Sequence, residues 1–258
     1  MHFSKNKISV ILLLFPAVFI VYYTVMQMLG PYNKLRIIEE DYNIRRNERT
    51  GQETEIFRDS AYLSLLREKY FLQSRIKMAE SDSVSLTLDF PDSIAALEIN
   101  GVTVHRAKIT RLKISRLLTG NEPGVLSLYS GPFNITDNYS SIKKEPLMIK
   151  MAPKDTSEFV PDIIPDTTDL KPVNFILSTD NGTRLYVFQD KKEGRGDGIR
   201  LFFFDLKFRI KDMLGSLKSV IMFEIPEYHP SVRIWIPRSD ARIIYRALPE
   251  YGQFSIFR

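Results

Sequence analysis

The chain of 258 residues contains no cysteine. That removes thiol nucleophiles, thiolate metal sites and any disulfide framework. The three histidines offer little metal chemistry: His105 closes a strand-like run, His229 precedes Pro230, and neither has a third ligand nearby in sequence. Ser231 lies two positions after His229, a spacing that puts both side chains on one face of a strand. A serine nucleophile needs such an activating base, but Pro230 between them interrupts the strand. Asp180, Asp190, Asp197 and Asp205 fall in turns or on strand faces, without the spacing of an acid/base pair.

The run Gly194-Arg195-Gly196-Asp197-Gly198 is glycine-rich, yet a phosphate-binding loop needs a helix directly behind it. The residues that follow read as a strand, so the run is expected to be a charged hairpin tip. Arg195-Gly196-Asp197 matches an adhesion tripeptide, a match too short to weigh. Asn134-Ile135-Thr136, Asn138-Tyr139-Ser140 and Asn181-Gly182-Thr183 match glycosylation acceptors, which matter only in a secretory pathway that uses them. No catalytic, cofactor-binding or metal-binding residue is expected from these patterns.

The elements that would have to position any site begin with Ile8 to Leu29, a stretch without a charged residue. At about 1.5 Å per residue such a helix crosses a hydrocarbon core of about 30 Å. It predicts an uncleaved signal-anchor over residues 1–30, because no Ala-x-Ala cleavage site follows it. Lys5 and Lys7 before the run favour a cytoplasmic N-terminus and an extracytoplasmic (periplasmic) body. Lys34, Arg36, Arg45, Arg46 and Arg49 after it argue the other way.

Pro31 is expected to end the span and open a helical stalk, residues 31–80, in two helices, Asn33 to Arg49 and Glu53 to Ala79. A heptad-like series Leu35, Ile38, Tyr42, Ile56, Leu63, Leu66 and Tyr70 suggests a homodimeric coiled coil. The alternative is an amphipathic helix packed on its own domain. Residues 81–258 read as a mainly-β body, a sandwich or curled mixed sheet. Val84 to Phe90 alternates at period two. Ala96 to His105 carries an Asn100-Gly101 turn that pairs Ile99 with Val102, Glu98 with Thr103 and Leu97 with Val104. Strands are expected at Lys108 to Leu117, Val125 to Ile135 and Leu147 to Met151, with loops at Thr119 to Gly124 and Asp137 to Lys144. Ala152 to Leu170 reads as irregular. A second hairpin joins Val173 to Ser178 with Arg184 to Gln189. Strands follow at Ile199 to Ile210, Leu217 to Ile225 and Val232 to Ile236, then a short helix from Ser239 or Asp240 to before Pro249, and a last strand Gln253 to Phe257.

The closing segment, Val232 to Phe257, resembles the end of the L,D-transpeptidase catalytic domain. Asp240-Ala241, Ile244-Tyr245 and Leu248-Pro249 stand in that family's helix positions, and Phe254 to Phe257 in its last strand. Gly131-Pro132-Phe133-Asn134-Ile135 is similar to its Gly-x-Phe strand. The resemblance implies a β-rich scaffold, but Arg233 stands where the nucleophilic cysteine belongs and Trp235 where the arginine belongs. No catalytic role carries over.

Lys and Arg number 36 against 31 Asp and Glu, a net charge of +5. The excess is scattered, which argues against nucleic acid and allows a weak preference for anionic membrane or polymer surfaces. The expectation is a membrane-anchored, non-enzymatic envelope protein that binds a protein partner or a cell-wall polymer such as peptidoglycan. The alternatives are an enzyme acting on an envelope substrate and a cytoplasm-facing inner-membrane scaffold.

Overall fold

The computed structural model describes residues 5–46, 59–144, 172–190 and 196–258. The expected strand Leu147 to Met151, the irregular stretch Ala152 to Leu170, and Ile56, Gly194 and Arg195 lie outside them.

Helix α1, Lys5–Arg46, is one 42-residue helix with Pro16 and Pro31 inside it. Pro31 therefore does not end the helix, which continues through Lys34, Arg36, Glu39, Glu40 and Asp41. Tyr22 meets the ring of Phe223 at a centroid distance of 6.0 Å. Gly30 is so close to Pro226 that an added Cβ would sit 3.3 Å from its carbonyl oxygen. The second part of the run thus has protein neighbours. Among the described residues no helix is long and apolar enough to cross a membrane. The expected transmembrane anchor, and the single-pass location built on it, are overturned.

Helix α2, Ser60–Ala79, starts where the Asp59 side chain accepts the Ala61 N–H at 2.9 Å, capping an orphan donor. It buries Leu63, Leu66, Phe71, Ser74 and Met78. Leu63, Leu66 and Tyr70, three of the seven residues in the expected coiled-coil series, pack on Leu126 of the same chain. The amphipathic alternative describes this helix: it belongs to the domain.

A nine-stranded mixed sheet forms the rest: β1 (Val84–Asp89), β2 (Ile94–Ile99), β3 (Val102–Lys108), β4 (Arg111–Ile114), β5 (Phe133–Ser140), β6 (Phe175–Thr179), β7 (Arg184–Gln189), β8 (Ser231–Ile236) and β9 (Gln253–Phe257). The spatial order is β3-β2-β1-β9-β5-β6-β7-β8-β4. Pairs β1–β9 and β7–β8 are parallel, the rest antiparallel. The order places β3 and β4 at opposite ends, yet only Ile109 and Thr110 separate them. Ile109 N–H donates to Ser93 O and Thr110 N–H to Trp235 O, both at 2.8 Å. One chain segment thus passes from one edge to the other, and the sheet curls almost into a barrel. Strand β5 makes the opposite corner: Phe133 and Asn134 pair with β9, and the residues from Ile135 on pair with β6.

Alternate residues point inward. Leu86 and Leu88, Leu97, Phe133 and Ile135, Phe175 and Leu177, Leu185 and Val187, Val232 and Ile234, and Phe254 and Ile256 form one buried cluster. Helix α6, Arg238–Ala247, adds Ala241, Ile244 and Tyr245 to it. Phe133 and Phe254 stack there at 5.0 Å.

Asn100 and Gly101 both have positive φ, 50° and 77°, as the expected two-residue turn requires. Ile99 pairs with Val102 and Glu98 with Thr103 as expected. A bulge between Leu97 and Glu98 then moves Leu97 from Val104 to His105, which turns the rest of β3 over relative to β2.

Two expected strands are helical in part. Lys108 to Leu117 gives β4 and then α3, Arg116–Thr119. In Val125 to Ile135 the first part is α4, Pro123–Ser127, followed by a 3-10 turn, Leu128–Ser130. Its buried residues Val125, Leu126 and Tyr129 have helical spacing, and Pro123 suits a first helical turn. The expected loop from Asp137 is instead the outward-facing half of β5.

The largest correction is α5, Asp197–Ile221, 25 residues of helix where two strands were expected. Its Phe204 and Phe208 pack on the outer face of β6 and β7, against Ile176, Tyr186 and Phe188. The fold is therefore a mainly β-sheet domain. The anchor and stalk expected before it are replaced by a 42-residue α1 and a packed α2, α5 is added, and the expected short helix stands as α6.

Candidate functional site

At the end of the barrel that carries the β6–β7 turn lies a cleft of about 550 Å³. Helix α1 supplies Lys34, Ile38 and Asp41, α2 supplies Lys77, and the turn after α4 supplies Ser130 and Gly131. The start of β5 gives Asn134, and the β6–β7 turn gives Asp180 and Asn181. Helix α1 is held in place by Ile38, which is buried, and by Glu39, whose Oε1 accepts the Gly124 N–H at 2.9 Å. Burial raises the Glu39 pKa above the usual carboxylate value, against the lowering effect of that hydrogen bond.

The floor is rigid. Asn134 Nδ2 donates to Asp180 Oδ2 at 2.7 Å, and Gln253 Nε2 donates to Asn134 Oδ1 at 2.9 Å. Asn181 Oδ1 accepts the Thr179 hydroxyl at 2.7 Å and the Thr183 N–H at 2.9 Å, a self-bonded Asx turn. Gly182 has φ +81°, and a Cβ there would lie 3.1 Å from Lys34 Nζ, so the ammonium group rests over the turn. Lys77 Nζ donates to Ser130 O at 3.4 Å. The cleft presents ammonium, carboxylate and amide groups, with no nucleophile held against a base.

The residues singled out from sequence are dispersed. His229 Nδ1 lies 3.2 Å from Gly182 O and 3.9 Å from Glu227, while Ser231 bonds through its backbone to Ser115; they do not form a dyad. Burial chiefly, then the Arg184 charge, lowers the His229 pKa, so its neutral form is favoured. His105 Nε2 lies 3.3 Å from Asp240 Oδ1, joining β3 to the first turn of α6. Asp205 pairs with Arg209 at 2.8 Å. Asp197 is buried and accepts from Gln189 Nε2 at 3.3 Å, so it is not displayed as an adhesion residue would be. The reason given against a phosphate loop fails in part, since a helix does begin at Asp197. The asparagines of the three acceptor motifs are all tied into the fold, Asn138 through Tyr245 at 3.3 Å.

Arg233 and Trp235, at the positions of the transpeptidase cysteine and arginine, face outward. The Arg233 guanidinium lies 4.9 Å from the Tyr186 ring centroid, and that of Arg111 lies 5.2 Å from the Trp235 ring. Tyr129 donates to Leu118 O at 2.9 Å. Its burial pushes the phenol pKa up to about 12, which makes it a neutral structural donor. Among the described residues no group of three or more His, Asp or Glu could hold a metal ion.

Sequence reasoning missed the cleft because its walls come from separate stretches of chain; the acceptor motifs at Asn134 and Asn181 fall in it, but nothing local to either shows that they meet. No protein-family model matches the chain, and no curated protein matches it significantly.

Proposed function

We propose that this chain is a non-enzymatic binding protein whose cleft takes a polar, peptide-like segment of a partner protein or of a cell-wall polymer. The observation that supports the reading is the pairing of cleft and charge. Two lysines and two aspartates line a cavity of about 550 Å³, large enough for a few residues of an extended peptide. A free carboxylate on the ligand would meet Lys34 or Lys77, and an ammonium group would meet Asp41 or Asp180.

Calorimetry with the full chain tests it, using soluble peptidoglycan stem peptides and unrelated charged peptides of equal length. Lys34→Glu with Lys77→Glu is expected to weaken binding of a carboxylate-bearing peptide by about tenfold or more, since charge-assisted hydrogen bonds are replaced by repulsion. Binding unchanged by that double reversal would remove the cleft from the account. Turnover of any peptide would move the chain to the enzymes.

A further inference from the structure

Helix α5 has two apolar faces. Phe204 and Phe208 pack on the sheet. On the opposite side Ile199, Phe203, Ile210, Leu214 and Ile221 recur at spacings of four and seven, which is one stripe of a helix with 3.6 residues per turn. All five are exposed, Ile199 at 63% and Phe203 at 60%. One edge of this stripe carries Arg200, Lys207, Lys211 and Lys218, again at helical spacings, and among the described residues none of the four is in an ion pair. The other edge carries the exposed Phe202 and Met213, while Asp205, paired with Arg209, and Asp212, paired with Arg184, lie nearer the sheet.

We infer that the outward face of α5 docks on an anionic lipid surface, lying in its plane without crossing it. An apolar stripe with a row of cations along one edge suits the boundary between acyl chains and negatively charged headgroups. The apolar area continues past the helix end: Phe223 is 80% exposed, and its ring meets Tyr22 of α1 at 6.0 Å. Phe223 holds φ at +61°, in the left-handed region where a helix end ordinarily places glycine. An exposed aromatic kept in that conformation suits a role outside the fold. A second copy of the chain fits less well. Antiparallel pairing through α5 would set the basic edge against itself, and parallel pairing would set it against Phe202 and Met213, which carry no opposite charge.

Flotation of the full chain with phosphatidylcholine vesicles, with and without phosphatidylglycerol, tests this. The wild type should float more strongly with the anionic vesicles. Phe203→Ser with Ile210→Ser should lower partitioning by about tenfold, and Lys207→Glu with Lys211→Glu and Lys218→Glu should abolish the anionic preference. These positions are exposed, so thermal midpoints should stay near that of the wild type. Leu65→Ser with Ile76→Ser, on the exposed side of α2, should change nothing. Wild-type partitioning by the α5 variants would overturn the proposal. So would a wild-type dimer in sedimentation, without vesicles, that Phe203→Ser with Ile210→Ser makes monomeric.

Discussion

Helices α2 and α5 both lie on the outer surface of the curled sheet, and both are pinned there by an arginine–carboxylate pair and aromatic stacking. On the α2 side Arg75 grips Glu98 through two hydrogen bonds, of 3.1 and 2.9 Å, and Phe71 stacks on Phe257 at 4.8 Å. On the α5 side Arg184 pairs with Asp212, and Phe204 stacks on Tyr139 at 4.9 Å. The difference lies in burial. The Glu98 carboxylate is 4% exposed, whereas that of Asp212 is 36% exposed. The outer surface of α2 exposes Leu65, Leu72 and Ile76 among Glu68, Lys69, Gln73 and Lys77, which carry both signs of charge. That of α5 is a longer apolar stripe, with cations alone along one edge and Phe223 beyond its end. The contrast is the continuous apolar face and single-sign edge that α5 has and α2 lacks.

Breaking the two ion pairs should separate the helices most clearly. Arg75→Ala would strand a buried carboxylate, and the expected loss is about 3–5 kcal/mol in denaturant unfolding. Adding Glu98→Leu should recover much of that, because the cost is the uncompensated charge. Arg184→Ala removes a partly hydrated pair together with the packing of the guanidinium over Phe208, at 5.0 Å. Its expected cost is about 1 kcal/mol. Equal losses at the two sites would erase the contrast.

A smaller effect of opposite sign is expected at the end of α5. Phe223→Gly relieves a left-handed residue worth about 1–2 kcal/mol but adds about 0.5–1 kcal/mol of unfolded-chain entropy. A net gain of about 0.5 kcal/mol should result. A loss would mean that the Tyr22 contact outweighs the strain.

The least of these effects is a pH slope. The folded pKa of His229 lies below its ordinary value of 6.5, so the unfolded chain binds the proton more readily. The stability tied to its neutral form is present above about pH 6.5, is lost as pH falls below that, and levels off beneath the folded pKa. His229→Gln should flatten this part of the profile. Arg184→Ala should shrink it, by removing a charge that helps lower the pKa.

Much of the sheet was legible. Strands β1, β6, β7, β8 and β9, the Asn100-Gly101 turn and α6 follow from period-two alternation, turn residues with positive φ, and a helix bounded by Pro237 and Pro249. Local patterns failed where tertiary contacts decide. Helix α5 is apolar on opposite faces, so Leu201 to Phe204 has no single stripe and imitates a buried strand. The helical spacing of Arg200, Lys207, Lys211 and Lys218 was the available signal. Helix α4 is too short for a period, and its conformation follows from burying Val125 and Leu126 together. The bulge at Leu97 and the junction at Ile109-Thr110 depend on strands far away in sequence. The apolar run in α1 has the composition of a span; its packing at Tyr22 and Gly30 against residues near 223–228 had no local sign. The cleft needs all of these pieces in place, so no stretch of sequence announces it.

The most direct test of the claim that α5 keeps a second interface and α2 does not is amide hydrogen exchange on the full chain, with and without anionic vesicles. Exchange across 199–221 should slow when vesicles are present, while exchange across 60–79 stays as it was. Unchanged rates in α5, or equal slowing in both helices, would contradict the account.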